Sequence, residues 1–347
     1  MPQLIQRLPE GPLDVVGDVH GELDALLALL RRLGVDPDAR TAERPVVFVG
    51  DLIDRGPDSV GVVELVAHLV EAGLAHAVVG NHELNLLAGD RKEGNGWFEG
   101  RTDDHAQFDG ERRVFPSRVA TSSERERIRA FLSELPLALE RDDLRVVHAS
   151  WDPDAAAKLP LEGDVARLAD EWHRAIDAEL EASGLRARAS EERREFAGLR
   201  DQHCEPTRHL AAVAAVDCAR QRANPVKLIT SGAEVEVAQG KHFFVGGKWR
   251  FVTRDAWWRR PVDRPTVVGH YWRRRAAAIA GKLDLWGEYE PHAWAGDVFC
   301  VDYSVGRRFL ERFRGRRRDF DGGLAALRFP ERALVFDDRA APVPTTR

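Results

Sequence analysis

Short apolar runs recur along the first part of the chain, and each stops at a glycine followed by a polar residue. Residues 13–16 (LDVV) end at Gly17-Asp18, residues 45–49 (PVVFV) at Gly50-Asp51, and residues 76–79 (HAVV) at Gly80-Asn81. Runs this short and rich in β-branched residues read as buried strands. Between them the apolar positions change to helical spacing. This holds over residues 22–33 (ELDALLALLRRL), stopped by Gly34, and over 57–72, with Pro57 in the first turn. Strand, loop and helix in repeated succession predict α/β units around a parallel sheet.

Beyond this region a loop-rich stretch covers 89–122, helical spacing returns at 123–135, and 144–148 (LRVVH) reads as another buried strand. Residues 155–223 are charged and rich in Ala, Leu, Glu and Arg, which predicts helices without strands, an inserted cap or lid. Strand-like runs resume at 226–230, 248–253, 265–268, 297–303, 324–328 and 332–336, as an antiparallel or mixed sheet. The expected organisation is a core whose halves are 10–154 and 224–338, a helical insertion at 155–223, and a flexible tail at 339–347.

The 347 residues, 44% hydrophobic and 31% charged, suffice for one large domain or a core with an inserted subdomain. A net charge of −6 gives no global argument for a nucleic-acid or membrane partner. Of the 51 basic residues only six are lysine. Coding bias accounts for that total, so only the placement of individual arginines informs. The three cysteines, Cys204, Cys218 and Cys300, form no CxxC pair, so neither a zinc ribbon nor a disulfide framework is indicated. Cys204 adjoins His203, but two adjacent side chains do not close a metal site. The N-terminus has no apolar signal core and no run approaches the ~18 apolar residues of a membrane span, so a reduced cytoplasmic setting is expected.

The chemistry-bearing residues gather at the strand ends. They are Asp18 and His20 in GDVHG, Asp51, Asp54 and Arg55 in GDLIDRG, and Asn81 and His82 in GNHE. Two later histidines, His148 in VVHAS and His270 in VVGHYW, also close apolar runs. In open α/β sheets, sites form beyond the carboxyl ends of the strands. Carboxylate oxygen and imidazole nitrogen suit divalent first-row metals. Asp18 and His20 alternate at one strand end and can reach one ion. Asp51 has two oxygens and can bridge two ions. Asn81, His148 and His270 complete a set sufficient for two ions. Such a pair can activate water and clamp an in-line phosphoryl transfer. Arg55 suits the nonbridging phosphate oxygens. His82 can donate a proton to the leaving oxygen, with Asp54 favouring its acid form. His105, His242 and His292 lack this strand-end, glycine-preceded setting.

Together these motifs resemble the calcineurin-like metallophosphoesterase superfamily, and more narrowly the phosphoprotein phosphatase family of serine/threonine phosphatases. Bacterial bis(5′-nucleosyl)-tetraphosphatases share the same core. The resemblance implies an α/β fold, a two-sheet sandwich flanked by helices with a helical insertion. It implies Asp18 and His20 on the first metal, Asp51 bridging, and Asn81, His148 and His270 on the second. It also implies His82 with Asp54 as the acid pair and Arg55 on phosphate. Two divalent ions are expected, manganese first, with iron, zinc, cobalt or nickel as alternatives. The expected reaction is hydrolysis of a phosphate ester by metal-activated water. The first reading is a protein-phosphatase-type phosphomonoesterase and the alternative is a dinucleoside polyphosphate hydrolase. The substrate partner is accordingly a phosphoprotein or a nucleotide.

The sequence departs from the protein phosphatases in having His148-Ala149-Ser150 where HGG is usual, whereas the bacterial tetraphosphatases often have an HA pair there. A second phosphate-binding arginine is expected between the late histidines, and Arg254 is the candidate. Four tryptophans and seven arginines crowd the two segments 249–260 and 270–275, and they could stack a base or form an ordinary Trp-rich core beside a basic rim. The run RFRGRRR at 312–318 reads as a solvated face. A rival from another class, a binding protein that has lost catalysis, predicts missing ligands, and none is missing.

Overall fold

The computed structural model describes residues 1–90, 92, 94–101, 117–245, 247–275, 286 and 289–346, with backbone alone at 105–108 and 111–114. His105 therefore has no described side chain. The chain divides into two compact units, residues 1–149, 160–166 and 258–347 in the first and 150–159 and 167–257 in the second.

The first unit is built around two large sheets. One has six strands in the order Val343–Pro344, Ala333–Phe336, Ala325–Phe329, Leu13–Val16, Val46–Phe48, Ala75–Ala77. The last three are the strands read from the glycine-terminated runs, and they pair in parallel, with Val15 opposite Val47 and Val47 opposite His76. The sheet as a whole is mixed, because Ala325–Phe329 joins Leu13–Val16 antiparallel. The other sheet has five strands in the order Ile5–Arg7, Ala138–Arg141, Leu144–Val147, Thr266–Val268, Val298–Cys300. Val15, Val47 and Leu327 from the first sheet and Val146, Val267 and Phe299 from the second belong to one apolar cluster and are fully buried. That shared core makes the unit a two-sheet sandwich.

Helices flank the sheets where the apolar spacing placed them. Leu23–Arg32 buries Leu26, Leu29 and Leu30, each side chain contributing roughly 1.5–3 kcal/mol of transfer free energy. It stops at Gly34, whose φ of +72° suits glycine. Ser59–Glu71 begins two residues later than expected, because Asp58 rather than Pro57 sets its start: Asp58 Oδ1 accepts the Gly61 amide at 2.8 Å. Ser122–Ser133 is opened by a capping box between Thr121 and Glu124.

In the second unit, helices Leu185–Glu195, Ala211–Arg222 and most of Val165–Ala182 share a core containing Ile176, Leu180, Val213 and Val216. Val252 from a strand ladder and Phe251 just before it join that core, so the unit runs past 155–223 to Trp257. The apolar run 226–230, expected as a strand, is the helix Pro225–Ser231. Asn224 caps it by accepting the Lys227 amide, and Pro225 fits the first helical position; these local signals outweigh the β-branched run.

The tail does not fray as expected. Val343–Pro344 pairs with the strand Ala333–Phe336, and the indole of Trp294 donates to Thr345 Oγ1 at 3.0 Å. Among the described residues no helix is long and apolar enough to cross a membrane.

Candidate metal centre

The strand-end loops of the first unit converge. Asp18, His20, Asp51, Asp54 and His148 are each at most 2% exposed. His20 Nε2 lies 3.7 Å from both Asp18 Oδ2 and Asp51 Oδ2. His148 Nε2 lies 3.4 Å from Asp51 Oδ1 and 3.1 Å from Asn81 Oδ1. His270 Nδ1 reaches the same Asn81 oxygen at 2.7 Å. Asp51 thus turns one oxygen toward His20 and the other toward His148. Two groups of ligand-competent atoms share it: His20, Asp51 and His82 on one side, and Asp51, His148 and His270 on the other, each within 4.8 Å.

The donor set fits a cation. His20 and His148 each commit Nδ1 to a backbone carbonyl, Ile53 at 3.1 Å and Val49 at 2.7 Å. With that nitrogen donating, each ring turns Nε2 into the cluster and offers a lone pair there once that nitrogen gives up its proton. Carboxylate, amide carbonyl and imidazole lone pairs then face one another, an arrangement that positive charge must relieve. Burial opposes protonation of His148, yet the adjacent Asp51 and then Asp18 hold its pKa up to about 10. Burial alone would raise Asp51, but His148, His82 and His20 drive it well below the usual carboxylate range. Asp18 is pushed well above that range by burial and by Asp302. His20 is held neutral by burial and the nearby Arg55 guanidinium.

Several of these residues occupy left-handed backbone: His20 (φ 48°), Asp51 (49°), Asp54 (71°), Arg55 (68°), His270 (71°) and Trp272 (51°). Each such non-glycine residue costs on the order of 1–3 kcal/mol and persists only where the surroundings enforce it. Close approach of the loops supplies that enforcement. A Cβ on Gly269 would lie 2.0 Å from Asp18 Oδ1, and one on Gly80 would lie 2.4 Å from the Asp51 amide. The glycines of the motifs therefore let one strand-end loop pack on the next.

His82 and Asp54 meet as expected, Nδ1 to Oδ2 at 2.6 Å. Asp54 also accepts Asn95 Nδ2 at 2.9 Å and Trp97 Nε1 at 2.7 Å. His82 Nε2 faces the cluster, 3.9 Å from Asp51 Oδ2. Arg55 contacts His20 Nε2 and stacks over the Trp272 ring at 4.2 Å, while burial lowers its pKa. Arg254 belongs to the second unit, where it sits opposite Glu234 in a strand ladder and pairs with it at 3.3 Å. The Trp/Arg run divides. Trp258 stacks on Trp286 at 4.4 Å and is buried, as is Arg273, whereas Trp272 lies at the cluster.

Four residues were not assigned a role from the sequence. Glu83, fully buried, accepts the amides of Asp51, Leu52 and Gly80 at 2.8, 2.8 and 2.9 Å. Asp302 accepts the amides of Trp272 and Ser304 at 2.7 and 2.8 Å and so fixes the turn after His270. Asn95 and Trp97 come from the loop-rich stretch and converge on Asp54. The glutamate of GNHE was visible as motif. The other three carry no pattern that marks them.

The asymmetrical bis(5′-nucleosyl)-tetraphosphatase of Oceanobacillus iheyensis is 47% identical to this chain over 74 residues, 20% of this chain and 30% of that protein. The symmetrical bis(5′-nucleosyl)-tetraphosphatase of Ralstonia nicotianae is 44% identical over 77 residues, 22% of this chain and 25% of that protein. The chain thus spans less than a third of the length of either relative. A crystal structure of a provisionally assigned diadenosine tetraphosphatase aligns over 98% of both chains, at 18% identity and a TM-score of 0.45, too distant to carry an assignment. The calcineurin-like phosphoesterase profile matches residues 11–189, more than half of the chain, and includes the loops of Asp18, Asp51, Asn81 and His148. The protein therefore belongs to the calcineurin-like phosphoesterase family.

Proposed function

We propose that the protein is a metal-dependent hydrolase that cleaves the phosphoanhydride chain of dinucleoside polyphosphates. The observation that carries the chemistry is the position of Asp51, one oxygen turned to His20 and the other to His148. The names of both relatives, and the His148-Ala149 pair, support the dinucleotide over the protein-phosphatase-type phosphomonoester that the motifs first suggested.

Asp18, His20 and Asp51 would hold one ion, and Asp51, Asn81, His148 and His270 the other. Two divalent ions, manganese first among those suited to this oxygen and nitrogen set, would supply an activated water and neutralise phosphoryl charge. The chain's own residues do the rest. Arg55, oriented by the Trp272 ring, binds the nonbridging oxygens of the attacked phosphate. Asp54 engages His82 Nδ1, so a proton at Nε2 is directed toward the cluster. As the attacked phosphorus gains the oxygen of water, its bond to the bridging oxygen breaks, and His82 delivers its proton to that oxygen.

The test is chelation followed by addition of manganese, with diadenosine tetraphosphate, a phosphoserine peptide and an aryl phosphate compared at equal concentration. Metal-restored hydrolysis with preference for the dinucleotide is expected. Preference for the phosphopeptide would overturn the substrate reading, and activity indifferent to chelation would overturn the metal reading.

A further inference from the structure

A cavity of about 390 Å³ lies in the first unit against the helix Asn81–Leu87. That volume is within the ~300–1,000 Å³ of small-molecule sites. Asn85 and Leu86 line it, three and four residues beyond His82, and so on the same helix face as the proton donor. Asn95 lines it too, while its side-chain amide holds Asp54. The cavity is therefore joined to the acid pair twice, along one helix and through one hydrogen bond.

Its charge is unbalanced toward cations. Arg125 and Arg129 stand one turn apart on Ser122–Ser133 and both border it. Arg125 donates to Ser122 Oγ at 2.9 Å and to the Phe98 carbonyl at 3.4 Å. Arg129 donates to the Leu87 carbonyl at 3.4 Å and lies over the Phe98 ring at 5.5 Å. Neither has a carboxylate partner among the described residues, and like charges one turn apart repel. The acids at the rim are engaged elsewhere, Asp90 with Lys92 and Glu99 with Arg101. A guanidinium stacked on Phe98 offers its outer face to another flat ring, and Arg125 offers donors to phosphate. The Asn85 side chain makes no hydrogen bond among the described residues and can meet a base edge.

We propose that this cavity binds the nucleoside phosphate that departs when the polyphosphate chain is cleaved, with Arg125 and Arg129 as its specificity-determining residues. The assignment rests on the dinucleotide reading above. The departing side is chosen because Asn85 and Leu86, which line the cavity, lie on the helix face of His82, and His82 protonates the departing oxygen.

The experiment has two arms, on the full chain and on an Arg125→Gln/Arg129→Gln variant. Glutamine keeps good helix propensity on this largely exposed face, and the thermal midpoint checks folding. In the first arm AMP is titrated calorimetrically into chelated protein. It should bind the parent and bind the variant at least about tenfold more weakly, as expected for loss of charge-assisted hydrogen bonds. In the second arm, kcat/KM for diadenosine tetraphosphate relative to an aryl phosphate should fall by a similar factor. Equal AMP binding by the two proteins, or none by the parent, would overturn the cavity assignment even if the dinucleotide is hydrolysed. AMP binding lost in the variant, with no dinucleotide hydrolysis by the parent, would overturn the dinucleotide reading and leave the cavity as a nucleotide site.

Discussion

Glu83 holds Asp51 by its backbone: Glu83 Oε2 accepts the Asp51 amide at 2.8 Å, and Oε1 accepts the next amide, of Leu52, at the same distance. Burial, with the Asp51 charge added, raises the Glu83 carboxyl to about 7, and the donors it accepts oppose that rise. The turn that sets Asp51 at a φ of 49° is thus pinned by a side chain from the neighbouring strand end. Glu83→Gln would set an amide donor against a backbone donor. Loss of such a support should weaken metal binding by about 10- to 100-fold and lower the thermal midpoint of the chelated protein. Manganese titration of the variant checks this, and an unchanged affinity would remove Glu83 from any positioning role.

The Asp54 carboxylate accepts from His82, Asn95 and Trp97 and has no donor of its own. Asp54→Asn must turn an amide toward at least one of these donors, and so misaligns His82. Turnover is expected to fall by about a hundredfold or more, with metal content retained. Asn95→Ala, which removes one of the donors to Asp54, should give a smaller loss in the same direction. Should the Asp54 variant emerge without metal, Asp54 would be a structural support of the metal ligands rather than the partner of an acid.

Much of this site was legible in the sequence because each strand announces its end with glycine and then presents its ligand. Asp18, Asp51 and Asn81 fall at the same end of three parallel strands for that reason. What pattern could not disclose is how non-glycine residues bear left-handed backbone, since that conformation is imposed by tertiary packing. Asn95 and Trp97 were hidden because a loop has no period. The helix Pro225–Ser231 was misread because a five-residue run with three β-branched members outweighed the Asn-Pro start before it. The end of the second unit was missed for a related reason: two short ladders pack on helices far from them in sequence.

If Asp51 serves both ions, its loss should differ in kind from the loss of a ligand on one side. His148→Ala removes a ring whose Nε2 meets Asp51 Oδ1 and Asn81 Oδ1. It should leave one tightly held ion per chain. Asp51→Asn weakens both groups at once and should leave neither held tightly. Metal analysis after gel filtration in metal-free buffer distinguishes the two, and one retained ion in the Asp51 variant would contradict the bridging assignment.

Asp14 carries a pH prediction away from the site. It is fully buried in the strand Leu13–Val16, and among the described residues neither of its carboxylate oxygens has a hydrogen-bond partner. Arg328, opposite it on the neighbouring strand, approaches to 3.4 Å. Burial raises its pKa from 3.8 to about 6, with Arg328 and Arg44 opposing. The folded state therefore holds this proton more tightly than the unfolded chain does. The stabilising contribution is full below about pH 4 and is lost as pH rises through about 6. Above pH 7 the charged, buried carboxylate leaves a cost of up to about 3 kcal/mol. Asp14→Asn keeps the shape without the charge. Its stability relative to the parent should rise between pH 4 and pH 8 by an amount on the order of 1–3 kcal/mol, as read by denaturant unfolding at each pH. Parallel stability curves for the two proteins would show that the Asp14 carboxylate keeps its ordinary affinity for a proton in the fold.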